Sequence, residues 1–127
     1  MELLIESGRY SVCRLDPGRP WPTPPAGARL YSASRTIDEL SVVCLEGDEP
    51  AGARVEPGWR ALRIVGPLAF DLVGVIASVT VPLAGSEVGV FVVSTYDTDL
   101  VLVKDEDVGR AIDALGGAGH RVRPADG

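Results

Sequence analysis

The sequence contains a single lysine, Lys104, and a single histidine, His120, among its 127 residues. Acidic side chains outnumber basic ones, giving a formal net charge of −6 and a pI near 4.7. Neutralising phosphates requires clustered Lys and Arg, and here the arginines are scattered, so neither nucleic acid nor an anionic membrane surface is an expected partner. Aromatic residues make up only 6% of the chain. Apart from Phe91 the expected strands offer little for base stacking, which argues against an RNA-binding module. The longest uncharged apolar stretch, residues 72–85, is too short to span a bilayer and suits a core helix. The opening "MELLIESG" has acid on both sides of a three-residue apolar run, unlike a signal peptide. Cys13 and Cys44 lack CxxC spacing and each sits in an apolar stretch. They are expected to be buried thiols of a reducing compartment rather than a disulfide or a zinc site, and the protein is expected to be cytoplasmic.

What is present is an ordinary globular balance, 46% hydrophobic and 24% charged, enough for one domain or two small subdomains. "WRALRIVG" (59–66) has strand composition and ends at Gly66-Pro67. After it, Leu68, Leu72, Val75, Ile76, Val79 and Leu83 recur at offsets of three and four, which predicts a helix over 68–85. Pro82 should kink or end its last turn, and Gly85 should stop it. "EVGVFVVS" and "DLVLVK" read as strands, and "DEDVGRAIDALGGAGH" as a second helix with an acidic first turn and a Gly116-Gly117 stop. "HRVR" (120–123) is a short last strand, and the tail "RPADG" is expected to fray. The order strand, helix, strand, strand, helix, strand predicts an α+β fold. It is the ferredoxin-like unit, an antiparallel sheet with both helices on one face.

The first half echoes the second. Shifted by sixty, "YSASRTIDELSVVC" (31–44) lies on "FVVSTYDTDLVLVK" (91–104) without a gap, and "YSVCRL" (10–15) resembles "WRALRI" (59–64). Where the second half has its first helix, the first half has "DPGRPWPTPPAG", whose five prolines forbid an ordinary helix. The chain is therefore expected to contain two related subdomains, 1–57 and 58–124, with the N-terminal copy trimmed of helix. Trp21 and Trp59 are expected as core or interface anchors.

The polar centre "STYDTD" between two aliphatic strands holds more hydrogen-bonding side chains than a turn needs. One explanation is hairpin chemistry, with Asp97 and Asp99 capping local N–H groups. The other is a binding site. Two alternating carboxylates fall short of a calcium or magnesium shell, and Asp105, Glu106 and Asp107 read as the solvated start of the last helix. His120 has no evident Ser or Cys partner and reads as a surface residue. Nothing else resembling an active site accompanies Asp97 and Asp99, so no enzyme, cofactor or metal is expected.

"GPLAF", "STYDTD" and "RTIDELSVV", taken together, resemble the ACT domains of small bacterial proteins similar to the CASTOR-type arginine sensors and the regulatory end of aspartate kinases. The resemblance covers nearly the whole chain except the proline-rich segment and the tail. It implies tandem ACT-like subdomains that bind a small molecule, usually an amino acid, at an interface between units, without a reaction. The ligand shell it implies is Gly66, Pro67, Leu68, Phe70 and Asp71 on one wall and Ser94, Thr95, Tyr96, Asp97, Thr98 and Asp99 on the other. Thr36, Asp38 and Glu39 would be counterparts in the first half. A zwitterion fits such a place, because Asp97 or Asp99 can accept its ammonium while a helix opening at Gly66-Pro67 offers N–H donors to its carboxylate. A homodimer is expected, together with a regulated partner that the sequence does not identify. The alternatives are a structural or interaction module without ligand and, from another class, a small acid-dependent enzyme.

Overall fold

The computed structural model describes residues 1–125, which form eight strands and two α-helices. They follow in the order β1 (Glu2–Ile5), β2 (Tyr10–Leu15), β3 (Ser32–Arg35), β4 (Leu40–Leu45), β5 (Arg54–Ile64), α1 (Val75–Gly85), β6 (Phe91–Ser94), β7 (Asp99–Lys104), α2 (Val108–Gly117) and β8 (Arg121–Pro124). Two compact units result, Gly8–Trp59 and a second made of Met1–Ser7 with the chain from Arg60 onward. β5 contributes its first half to one unit and its second half to the other.

In the Gly8–Trp59 unit the sheet order is β3-β4-β2 and then the first half of β5, all antiparallel. Pairing of Cys13 with Val42 and of Leu15 with Leu40 puts alternate residues on one face. Cys13, Leu15, Leu40, Val42 and Cys44 form its core, with Tyr31, Ala33 and Ala53 packed against them. There is no helix. Residues 16–30 run as turns and irregular coil, tied down by arginines: Arg19 Nη2 donates to the Ala51 carbonyl at 2.9 Å and Arg35 Nη2 to the Arg19 carbonyl at 2.7 Å. Trp21 is no core anchor. It is 56% exposed, with the Arg35 guanidinium 5.2 Å from its ring centroid, a cation–π contact that needs no burial. Trp59 is half-buried and donates from Nε1 to the Glu56 carbonyl at 3.0 Å. The pairing of β2 with β5 goes from Tyr10–Trp59 to Val12–Glu56, so β5 carries one extra residue there. This bulge falls on Pro57 and Gly58, where a missing N–H and a φ of +86° suit it.

In the other unit the order is β6-β7, the second half of β5, β1 and β8. The elements from β5 to β8 follow the expected strand, helix, strand, strand, helix, strand order. β1 was not foreseen. It lies antiparallel to β5 and parallel to β8, so the first residues of the chain belong with its second half. Leu3, Leu62, Ile64, Val101 and Val103 pack with Val79 and Leu83 of α1 and Ala111 and Leu115 of α2, which places both helices on one face of the sheet. The tail is also more ordered than expected: Arg123 and Pro124 belong to β8 and the Ala125 N–H donates to the Ile5 carbonyl at 2.9 Å. Residues 126–127 of that expected frayed end lie outside the described residues.

The first helix is shorter than the apolar spacing predicts. It starts at Val75, after Gly74 in the left-handed region at φ 82°, and residues 66–73 run as turns and coil. The Leu68 N–H is bonded across to the Asp97 carbonyl at 2.8 Å, so a long-range bond and a left-handed glycine override the helical periodicity. Pro82 lies inside α1, which continues to Gly85. Proline cannot donate to the Ser78 carbonyl one turn back. His120 Nε2 donates to that oxygen instead, at 2.8 Å, so the half-buried histidine is a structural donor rather than a bystander at the surface.

The helix ends in a Schellman motif: the Val88 N–H donates to the Leu83 carbonyl at 2.9 Å and the Glu87 N–H to the Ala84 carbonyl at 3.0 Å. The left-handed position, usually glycine, holds Glu87 at φ 58°. Glu87→Gly is therefore expected to stabilise the protein by about 1 kcal/mol, read as a higher urea midpoint with unchanged slope. Burial pushes the Cys44 thiol up to about 12, with the neighbouring Cys13 adding to the rise, and burial raises Cys13 as well. A raised thiol pKa favours the fold fully below the unfolded value and loses that contribution as pH climbs toward 12. At pH 8 neither thiol should react with Ellman's reagent in the native protein, and both should titrate in guanidinium.

Candidate functional site

The turn between β6 and β7 is built from its own hydroxyls. Ser94 and Asp99 are paired residues at the ends of the two strands, and Ser94 Oγ donates to Asp99 Oδ1 at 2.6 Å. The Thr95 N–H donates to the Thr98 carbonyl at 2.8 Å, while Thr95 Oγ1 accepts from the Thr98 N–H at 3.3 Å. Local capping thus falls to Thr95, not to the aspartates. The carboxylate of Asp97 is exposed and has no hydrogen-bond partner among the described residues.

This turn is held by two bonds, one to the end of β5 and one to the segment after it. Thr98 Oγ1 donates to the Ile64 carbonyl at 2.7 Å, and the Leu68 N–H donates to the Asp97 carbonyl at 2.8 Å. Gly66, joined to Pro67 by a cis peptide, is what allows the approach. A Cβ there would meet the Asp97 carbonyl oxygen at 3.0 Å and the Leu68 nitrogen at 3.1 Å. Between the two segments lies a cavity of about 230 Å³, lined on one side by Leu68, Ala69, Phe70, Leu72 and Val75 and on the other by residues 94–99. Its only charged side chains are the carboxylates of Asp97 and Asp99.

Phe70 and Tyr96 form a rim across the cavity, ring centroids 5.1 Å apart and tilted by 33°. Both are largely exposed, at 78% and 81%, and Leu72, another lining residue, is 52% exposed. Solitary exposed apolar side chains need no explanation, but a contiguous group around a cavity marks a surface that expects cover. α1 begins at Val75, itself a lining residue, so the helix's N-terminal end lies at this cavity rather than at Gly66-Pro67. The helix starts seven residues later than the sequence indicates, at Val75 rather than Leu68.

Leu68, Phe70 and all six residues 94–99 come together here. Gly66 lies beneath them as a spacer, and Pro67 and Asp71 belong to the same segment without lining the cavity. Thr36, Asp38 and Glu39 are in the other unit, on the β3–β4 turn, where Thr36 Oγ1 accepts from the Asp38 N–H at 3.1 Å and the Glu39 N–H at 3.2 Å. That turn repeats the Thr95 design, and the structure corrects its alignment. β3 and β6 begin at Ser32 and Phe91, and β4 and β7 at Leu40 and Asp99, an offset of fifty-nine. Thr36 therefore matches Thr95 rather than Tyr96. Ala69, Leu72 and Val75 were missed as lining residues because the helical spacing assigned Leu72 and Val75 to a core face. Among the described residues no three His, Cys, Asp or Glu side chains gather as a metal site requires, and no helix is long and apolar enough to cross a membrane.

With this geometry in view, two family models match the chain: an ACT domain over residues 54–116 and a distinct N-terminal domain over residues 8–51. The crystal structure of an Agobacterium tumefaciens protein is similar over 95% of this chain and 90% of its own, with 41% identity and a TM-score of 0.87. The mouse protein named cytosolic arginine sensor for mTORC1 subunit 1 is 40% identical over 58 residues, 45% of this chain and 18% of the sensor. The chain thus matches less than a fifth of that curated relative. The regulatory subunit of aspartate kinase from Thermus thermophilus shares the fold, with a TM-score of 0.62 over 91% of this chain and 96% of its own at 13% identity.

Gly66→Ala tests how far the two cavity walls depend on close approach. The added methyl meets backbone on both sides, which cannot swing away, so a loss of about 1–3 kcal/mol in urea unfolding is expected. Gly85→Ala, where a Cβ meets nothing within 4 Å, should lose none by this route.

Proposed function

This chain belongs to the ACT domain family, and on that premise we propose that it is a regulatory module binding an amino acid in the cavity between residues 68–75 and 94–99. The observation that carries the proposal is the cavity's chemistry: an aliphatic floor, a row of hydroxyls, and carboxylates as its only charged side chains. An ammonium meets Asp97, whose carboxylate has no internal partner to give up, with Ser94 and Thr95 oxygens beside it. A ligand carboxylate finds N–H donors at the start of α1, where Val75, Ile76 and Ala77 have no acceptor within the helix. The excess of negative charge favours an amino acid with a second cationic group, and the mouse relative is named for arginine. Arginine is accordingly the first ligand to test.

A second copy of the chain closes the site in this proposal. The exposed Phe70, Leu72 and Tyr96 leave the cavity open to solvent, and a ligand with two charged ends needs water excluded from its contacts. Closing would change how the copies pack and so signal ligand to a partner protein. An enzymatic role has less support, since the single histidine is spent on the Ser78 carbonyl, outside the cavity. The cytoplasm is the compartment in which such a sensor and its two free thiols are at home.

A thermal-shift screen of the twenty amino acids tests the proposal. Arginine should raise the melting temperature in a concentration-dependent way, the stabilisation reaching about 2.7 kcal/mol at one hundred times the dissociation constant. Asp97→Asn should leave the ligand-free melt unchanged and weaken binding roughly tenfold or more, the worth of one hydrogen bond to a charged group. Silence from all twenty at millimolar concentration would sink the sensor reading. Light scattering with and without ligand reports the second copy, and a monomer that binds normally would remove it from the site.

A further inference from the structure

The proline-rich segment stands where the Gly8–Trp59 unit lacks a helix, and the amino-acid cavity uses none of it. Pro20, Pro22, Pro24 and Pro25 each hold φ at about −65°, and Arg19, Trp21, Thr23 and Pro24, each preceding a proline, are steered away from helical backbone. Residues 19–25 are thereby committed to a polyproline II helix, which has about three residues per turn and no internal hydrogen bonds. The exposure of the segment follows that period. Arg19, Pro22 and Pro25 make the inward edge: the Arg19 side chain reaches the Ala51 carbonyl, and Pro22 and Pro25 are half-buried. Pro20, Trp21, Thr23 and Pro24, on the other edges, are all exposed. A connector accounts for the prolines, which stiffen the chain between two strands. It does not account for an exposed Trp21, a residue type that is highly buried on average and enriched at interfaces. Charge singles out the same place. Residues 17–37 contain Arg19, Arg29 and Arg35 and no acidic side chain, in a chain of net charge −6. Arg19 and Arg35 donate to main-chain carbonyls, and Arg35 also lies over the Trp21 ring, so these contacts leave both positive charges uncompensated.

We propose that this ridge is a docking ligand for a second protein, one whose groove is lined with aromatic rings and rimmed with carboxylates. The dipeptides Pro20-Trp21 and Thr23-Pro24 lie one turn apart on the open edges and fill successive slots between the rings. Because the prolines have already fixed the backbone, docking costs little ordering entropy. Arg19 and Arg35 flank the ridge and meet the carboxylate rim, which selects against grooves with a basic border. The inward edge stays where it is, so the segment is read in place and no part of the unit has to detach. Asp16, at the head of the segment, is drawn toward Arg14 at 3.7 Å.

Small SH3 and WW domains carry grooves of this kind, and one of each with an acidic rim serves as probe. Each is added unlabelled to the full chain labelled with nitrogen-15. At least one should shift the Trp21 indole N–H and the Trp21 and Thr23 backbone signals, saturating below about 1 mM. Added salt should weaken the contact, because the arginines and the rim attract through solvent. Trp21→Ala should fold and weaken binding by about tenfold or more, as loss of an aromatic anchor does. If that variant does not fold, the exposed Thr23 decides: Thr23→Glu should weaken binding and Thr23→Lys should not. Silence from both domains overturns the proposal, as does binding that is indifferent to salt, to Trp21→Ala or to Thr23→Glu. The ridge and the amino-acid cavity lie in different units and share no residue, so failure here leaves that reading untouched.

Discussion

The contact on which the candidate site depends is a hydrogen bond between two pieces of backbone, from the Leu68 N–H to the Asp97 carbonyl at 2.8 Å. It fixes the distance between the two walls of the cavity, and the Thr98 hydroxyl on the Ile64 carbonyl fixes their relative height. Neither bond needs a charged side chain. Asp97 is thereby released from structural duty and keeps its acceptor capacity unspent, while Asp99 accepts from Ser94 at the strand ends. Gly66 is the steric condition for both bonds, since any side chain there would push the walls apart. The architecture of the turn thus rests on main chain and hydroxyls, and the Asp97 carboxylate takes no part in it.

That same bond explains where sequence reasoning stopped. The strands and helices from residue 59 onward were legible because burial on one face imposes period two or three and a half over several turns. α2, with Ala111 and Leu115 inward, shows the clearest case. Residues 68–74 carry a helical pattern too, in Leu68 and Leu72, yet they are not helical. Their conformation is decided by a partner thirty residues away and by a left-handed Gly74, neither of which has a local signature. β1 was invisible for a related reason. Four residues cannot display a period, and its neighbours come from the far end of the chain. The cavity's polar wall was legible as an excess of hydrogen-bonding groups. Its apolar wall was not, because apolar residues near a helix look like core.

The internal repeat teaches a narrower lesson. Identity of residue type favoured an offset of sixty, but the threonine-capped turns at Thr36 and Thr95 establish fifty-nine. A difference of one residue is large in a β-protein, because neighbouring side chains point to opposite faces. Turn chemistry identifies a position, whereas an aliphatic match identifies only a kind of environment. The two turns share their capping and differ in their surroundings, one beside a loop and a helix start and the other in a unit with no helix at all.

The bulge at Pro57 and Gly58 has a consequence for evolution of the chain. β5 pairs with β2 along its first half and with β1 along its second, and the extra residue interrupts the alternation in its pairing with β2. The bulge therefore sets the register of β5 against β2. Removing or adding one residue there would turn an entire half-strand inside out, with Leu62 and Ile64 or their counterparts facing the wrong way. A change in the length of β5 is thus felt by the whole half-strand, whereas a substitution at its exposed positions 54–57 is felt locally.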